Sequence, residues 1–409
     1  MRKVYLGLIA ACLGTSAFAG GYRVSLQGVR QSAIGLTSVM HTRDASVAFF
    51  NPAGLAFVES KFSVAAGGYG VMTDFHWQNP KTQESASTDS PMGTPIYFAA
   101  SYRPIKDLTV GLSVTTPFGN SVKWPDNWAG SANISEITLK SFFFQPTVAY
   151  KFNDWFSVGA GFIFATGQVN LQRTTQVAGN TIGLEIDEKD ASGTGFNIGA
   201  FIKPTKKLQI GLAYRSKVDM KAEDGSASWG NVPTGIATNM PFTTTNFNAS
   251  LPLVSEFLAG FSYQVSDRLL LAAEVAVHGW SAYRSLDIEL YNSQGDEFNS
   301  LATKNFKDQA VYKIGGEYLA TENLAVRLGY YFDQSPSVAD YWSPETPSVD
   351  LHVLTGGLGY KFGENFYIDA YGQYSMGKER YVHNVQNGFE GDVKGGAVVI
   401  GLGLSYNFN

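Results

Sequence analysis

Leu324-Ala325-Val326-Arg327-Leu328-Gly329-Tyr330-Tyr331-Phe332-Asp333 is the stretch that decides the fold. Leu324, Val326, Leu328, Tyr330 and Phe332 take alternate positions. Ala325, Arg327, Gly329, Tyr331 and Asp333 take the others. A period of two is the repeat of a β-strand, whose successive side chains point to opposite faces. One face is greasy and the other mixes small residues with isolated charges. The pattern returns in Leu208, Ile210, Leu212 and Tyr214 against Gln209, Gly211, Ala213 and Arg215. It returns in Leu269, Leu271, Ala273, Val275 and Val277 against Leu270, Ala272, Glu274, Ala276 and His278, and again in Phe366, Ile368 and Ala370 against Tyr367, Asp369 and Tyr371.

Working outward, fourteen such segments lie at about 61–74, 94–103, 108–123, 138–152, 155–173, 193–203, 207–222, 250–265, 268–279, 308–319, 323–333, 350–362, 365–376 and 395–408. Many reach the ~9–11 residues that a tilted membrane strand needs, whereas soluble strands run nearer 5–6. The connections sort into two kinds. Residues 104–107, 153–154, 204–206, 266–267, 320–322 and 363–364 are short polar turns. Residues 75–93, 124–137, 174–192, 223–249, 280–307, 334–349 and 377–394 are long. Short and long alternate without exception, which puts all the turns at one end and all the loops at the other. Outer-membrane barrels have this asymmetry. The expectation is an all-β, fourteen-stranded antiparallel transmembrane β-barrel. In lipid the sheet has to close, because an unpaired backbone edge finds no water. A large soluble β-protein is the competing reading. It leaves the even strand count and the sorted loops unexplained.

Composition agrees. Charged residues make up 16% of the 409, against about 25% in ordinary globular chains. With 30 Lys and Arg against 35 Asp and Glu, nothing electrostatic favours nucleic acid. Met1-Arg2-Lys3, the apolar run to Leu13 and Ala17-Phe18-Ala19 read as an export signal over residues 1–19. A lipoprotein box ending at Cys12, the sole cysteine, is the alternative there. With cleavage after Ala19 no thiol remains for a disulfide or a metal. The five histidines (His41, His76, His278, His352, His383) show no metal-ligand spacing, and neither H-E-x-x-H nor G-x-S-x-G occurs. Gly372 to Glu379 approaches a phosphate loop, but Glu379 stands where Ser or Thr is required. No enzyme, cofactor or metal is expected.

Two regions break the pattern. Residues 20–60 are mixed, and a barrel of this size encloses a lumen its wall side chains cannot fill, so an inward-folded hatch is expected there, with residues 61–409 forming the barrel. An external periplasmic extension is the alternative. In the third segment, Thr115-Thr116-Pro117-Phe118-Gly119-Asn120 should interrupt the ladder, since proline has no N–H to donate and glycine packs poorly. Either the wall has a gap there, or the stretch already lies above the membrane.

These features carry a resemblance. Gly21-Tyr22, Asn51-Pro52-Ala53, Phe118-Gly119, Phe306-Lys307-Asp308 and Phe332-Asp333-Gln334-Ser335-Pro336, in that order, resemble the FadL-type outer-membrane transporters of long-chain fatty acids and other hydrophobic compounds. The resemblance implies a hatch carrying Asn51, Pro52 and Ala53 and a lateral gate at Pro117, Phe118 and Gly119. It implies ligand contacts from Tyr22, Arg173 and Lys307, the two cations suiting a carboxylate. The ending Tyr406-Asn407-Phe408-Asn409 departs from such barrels, which usually stop on the aromatic. Trp229, Met240, Phe242 and Phe247 in the long segment 223–249 are the expected surface for first capture. The expected partners are a long-chain fatty acid or another hydrophobic small molecule, and the lipid and lipopolysaccharide of the outer membrane around a monomer. Import of neutral aromatic hydrocarbons is the second reading, and a diffusion porin the third.

Overall fold

The computed structural model describes residues 21–177 and 179–408. The expected signal peptide, with Cys12, lies outside the described residues. The fourteen strands, in chain order, are Phe62–Gln78, Ile96–Ile105, a third broken into Leu108–Thr115 and Gly119–Lys123, then Glu136–Asn153, Phe156–Val177 and Asn180–Ile202. Strands seven and eight are also interrupted, as Leu208–Arg215 with Val218–Gly230 and Asn246–Leu253 with Glu256–Ser266. Leu269–His278, Gln309–Leu319, Leu324–Asp333, Leu351–Phe362, Phe366–Gly377 and Glu390–Phe408 complete the set. Each pairs antiparallel with its neighbours in sequence. Strand one pairs with strand fourteen from Phe62 opposite Phe408 to Gln78 opposite Asp392, so the sheet is closed. No helix among the described residues is long and apolar enough to cross a membrane; this wall crosses it with strands.

Alternation decides which way the wall faces. Leu328 is 70% exposed and its neighbour Arg327 only 2%. The greasy face of every such strand therefore points outward, and the face of small and charged residues points into the lumen. An apolar exterior of this extent belongs in lipid. Tyr150, Phe152, Trp155, Tyr263, Tyr318, Tyr360, Phe362, Tyr406 and Phe408 are exposed and gather at the short-turn end, as an interfacial girdle does.

At the opposite end the sequence reading is corrected. The alternation in the sequence predicts long loops at residues 174–192, 223–249 and 280–307. Strands five and six instead continue to a turn near residue 179, strand seven runs to Gly230, and Ser285–Tyr291 pairs with Glu297–Thr303 as an added hairpin. Above the bilayer both faces of a strand meet water or other loops, so the alternation that marks a strand in lipid is absent there. Over this end Trp77, Trp124, Trp128, Trp342 and Phe389 form one aromatic cluster, with Trp124 and Trp128 stacked at 4.1 Å.

Residues 21–60 fill the lumen and are buried almost throughout. A short helix, Val29–Ala33, contacts strands eleven to fourteen, and a 3-10 turn, Pro52–Phe57, contacts strands three to six. The Asn51 side chain accepts from Ala53 N–H (3.1 Å), capping that turn. It donates to the carbonyls of Val39 (2.9 Å) and of Ala200 in the wall (3.1 Å). The wall yields to this approach. A Cβ at Gly199 would sit 2.1 Å from Asn51 Oδ1, and one at Gly159 would sit 2.5 Å from Ala53 N. The lumen-facing charges bind the hatch as well. Glu317 accepts from Arg30 and Arg327, and Asp369 from Arg327 and Arg43. Glu274 accepts from Lys313 and from the Ser38 and Val39 amides, while Arg23 donates to Asp333 at 3.2 Å.

Candidate functional site

The interruption at residues 116–118 frees backbone groups in the middle of a strand. In strands seven and eight the comparable breaks are closed by the wall itself, Ser216 N–H donating to Phe196 O and Gly279 N–H to Ser255 O, both at 2.9 Å. Strand three differs, because its freed groups turn inward to the hatch. Val24 N–H donates to Pro117 O (2.7 Å) and Gly119 N–H to Tyr22 O (2.9 Å), with Arg23 and Phe118 forming an antiparallel bridge. The Gln27 side-chain amide donates to Thr116 O (3.0 Å) and accepts from Thr116 N–H (3.2 Å), standing in for a neighbouring strand. Ser141 of strand four serves both polar groups of Phe118, accepting its N–H at 3.2 Å and donating to its carbonyl at 2.7 Å. The third strand is thus a break in the barrel stitched shut by residues 22–27. Beside it lies a cavity of about 480 Å³, bounded by Val24 of the hatch, Val71, Met92, Pro95, Phe118 and Leu139.

Above this point the lumen holds two adjoining cavities. The inner one, about 80 Å³, is lined largely by apolar residues, among them Tyr22, Leu139, Met220, Phe247, Leu251 and Tyr283. Tyr22 is fully buried, donates its hydroxyl to Pro252 O at 2.6 Å and packs edge-on to Trp280 and Tyr283. The outer cavity, about 660 Å³, has an apolar floor that includes Leu184, Leu286 and Leu290, with Arg173 and Lys304 among its polar groups. Leu171, Ile186, Leu286, Ile288 and Glu345 border both cavities. Glu345 belongs to the segment 334–349, which dips into the barrel. Its backbone carbonyl accepts from Asn120 Nδ2 at 2.6 Å, and Pro344 O accepts from Trp124 Nε1 at 3.1 Å. Its carboxylate accepts from Lys304, which also donates to Ser343 Oγ at 2.7 Å. Burial pushes the Glu345 carboxyl up, but the Lys304 ammonium and the Ser343 hydroxyl outweigh that and hold it below the usual carboxylate range.

The structure brings Tyr22 and residues 117–119 together, with Tyr22 and Phe118 ring centroids 6.2 Å apart. Arg173 lines the outer cavity and donates to Ser300 at 3.3 Å. Lys307 is exposed and borders neither cavity. The buried ammonium near that position is Lys304, one of the largest fully buried side chains of the protein. Trp229, at the outer end of strand seven, and Phe242, in the loop that follows, pack edge-on at 5.2 Å and, like Met240, are half-buried. Phe247 is fully buried in strand eight, which corrects its expected place on the capture surface: it faces the lumen. Sequence reasoning missed Gln27, Ser141, Lys304 and Glu345. Gln27, Lys304 and Glu345 lie in the hatch or the loops, which carry no periodic signal, and the buried position of Ser141 in strand four marks the face it takes but not its partner. The lumenal charges at Arg327 and Asp369 were visible as charges within apolar strands, but not as anchors for the hatch.

A family model described as outer membrane protein transport protein (OMPP1/FadL/TodX) matches residues 10–408. The chain belongs to this family. Over 465 residues it is 26% identical to a putative outer membrane protein of Neisseria meningitidis serogroup B, covering 100% of this chain and 99% of the relative. Over 420 residues it is 24% identical to a long-chain fatty acid transport protein of Escherichia coli O6:H1, covering 92% and 91%. Among solved structures, a FadL homologue of Pseudomonas aeruginosa superposes with a TM-score of 0.83 at 20% identity, covering 95% of this chain and all of that one. A toluene transporter of Ralstonia pickettii superposes with a TM-score of 0.70 at 19% identity, covering 93% and 98%. The fold is therefore the plugged fourteen-stranded barrel of this OMPP1/FadL/TodX family, seated in the outer membrane of Gram-negative bacteria. Its activity is transport of hydrophobic compounds across that membrane, not catalysis.

Proposed function

We propose that this barrel takes up long-chain fatty acids or similar amphiphiles and releases them sideways through the break in strand three. The ligand meets the outer loops around Trp229, Met240 and Phe242. It enters the outer cavity at Arg173, passes to the inner cavity beside Tyr22 and Phe247, and leaves between residues 22–24 and 117–119. Residues 1–19 serve export, residues 20–60 act as a displaceable hatch carrying Asn51, Pro52 and Ala53, and residues 61–409 form the conduit of a monomer. The supporting observation is the stitch itself: four backbone groups of strand three at the gap are satisfied by the hatch rather than by the wall. Moving the hatch opens the wall without breaking a wall ladder.

Energetics favour a side exit. At ~0.8 kcal/mol per buried CH₂, a tail of about 14 methylenes is worth on the order of 11 kcal/mol out of water. Release into the periplasm would forfeit that, whereas release into lipid keeps it. The inner cavity is smaller than a long acyl chain requires, so passage and a shift of the hatch or of residues 343–346 go together. The test is uptake of a radiolabelled fatty acid by cells carrying a Pro117→Val, Gly119→Val variant that restores a regular ladder. Lateral release predicts loss of uptake with the protein still folded in the membrane; unchanged uptake refutes it.

A second reading, import of neutral aromatic hydrocarbons, is favoured by one observation: the most deeply buried lumenal ammonium, Lys304, is already neutralised by Glu345. Under that reading charge-removing changes at Arg173 leave ligand binding intact.

A further inference from the structure

We propose that Glu345 is a resident competitor for the ligand headgroup, setting how strongly the lumen discriminates between an anionic and a neutral hydrophobic compound. This deepens the reading above and rests on a ligand lying across the two lumenal cavities. Glu345 sits where they meet, bordering both. The cation hydrogen-bonded to it, Lys304, is fully buried, and that ammonium donates only to Glu345 and to Ser343 among the described side-chain contacts. The neighbouring cation, Arg173, is half-buried, lines the same outer cavity, and donates to the Ser300 hydroxyl.

The geometry has a direct consequence. A fatty acid whose tail enters the inner cavity, as the hatch shifts to admit it, presents its carboxylate at this junction. The ammonium that would receive it already holds a protein carboxylate. Binding the anion then means either displacing Glu345 from Lys304 or settling on Arg173 with Glu345 nearby as a like charge. An alcohol or a hydrocarbon of the same length meets neither cost. Glu345 also ties the dipping segment to the wall just past the strand-three break, through Asn120 and, one residue earlier, through Trp124. A headgroup that takes Lys304 from Glu345 removes the side-chain tie on residues 343–346, the partition between the cavities, and leaves them held there by the two carbonyl contacts alone. An anion would both bind and unlatch, whereas a neutral compound would only bind.

The test compares oleate with oleyl alcohol, which share a tail and differ in headgroup charge. Binding of each radiolabelled probe is measured on the purified full-length protein in detergent, for wild type and for Glu345→Gln. Glutamine keeps an oxygen for Lys304 to donate to but removes the charge. The expected result is oleate affinity rising about tenfold, the size of one charge-assisted hydrogen bond, while oleyl alcohol changes by less than about twofold. In Lys304→Gln, Glu345→Gln the gain for oleate should vanish, which separates competition for Lys304 from a general loss of negative charge. Retained heat-dependent gel mobility shows that each variant is a closed barrel. Binding of both probes with an unchanged ratio in Glu345→Gln, or a gain that persists in the double variant, overturns the role of Glu345 alone. Failure of wild type to bind either probe overturns the lumenal-ligand reading and this inference with it.

Discussion

Replacing Asp369 with asparagine should release the hatch while leaving the barrel closed. Asp369 is on the lumenal face of strand thirteen, almost fully buried. It accepts from Arg327 at 2.7 Å and from two nitrogens of Arg43 in the hatch, and Arg43 also lies 4.7 Å over the Tyr367 ring. Glu317 holds Arg30 and Arg327 in the same way, and Asp44 pairs with Arg43. Three guanidinium groups thus face three carboxylates with little water between them. Removing one carboxylate leaves a buried cation uncompensated, a change that costs roughly 3–5 kcal/mol in comparable sites. The wall ladder does not depend on it, since strand thirteen is bonded along its backbone to strands twelve and fourteen. The loss therefore falls on docking of residues 29–46. Amide hydrogen exchange in that segment should accelerate by roughly 10² to several times 10³, with exchange in the wall strands unchanged. Arg43→Gln, Asp369→Asn restores charge balance and should recover most of the protection. A single variant that keeps its heat-dependent gel shift and shows wild-type exchange across the hatch would refute the claim that these charges hold it.

Four further outcomes follow from the same geometry. Gly199→Ala places a methyl carbon against Asn51 Oδ1 and should destabilise hatch docking by about 1–3 kcal/mol, read as faster exchange at Ala53 and Gly54. Gln27→Ala removes both side-chain bonds to Thr116; exchange at the Val24 and Gly119 amides should rise by at least about tenfold, with the far side of the hatch unaffected. Trp342→Ala empties a fully buried site in the aromatic roof at a cost of about 3–5 kcal/mol, and should raise the frequency of conductance openings in planar bilayers. Acid gives the fourth: the Glu345 carboxyl is held below its ordinary value of 4.5, so the stability it lends is complete above that pH and disappears only as pH falls below it. Fluorescence of the adjacent tryptophans should accordingly be flat from neutrality down to about pH 4.5 and change below it.

The alternation within strands such as Leu324–Asp333 is enough to specify a lipid-facing wall, because a period of two commits every second side chain to one medium. Strand number, the closed sheet and the sorting of turns from loops follow from that periodicity and from the demand that no backbone edge meet hydrocarbon. Pro117 and Gly119 likewise announce a failed ladder from local chemistry alone. What the break means was decided in three dimensions. Residues 22–27 and 116–119 are about ninety positions apart, and only the folded lumen brings the Gln27 amide onto Thr116. The same holds for Asp369 with Arg43 and for Lys304 with Glu345, each pair joining an element of the wall or its loops to a segment with no periodic pattern. Periodicity records the medium a side chain faces, not the partner it meets, so the barrel could be read along the chain, while the plug, its latches and the junction between the cavities exist only after the sheet has closed around them.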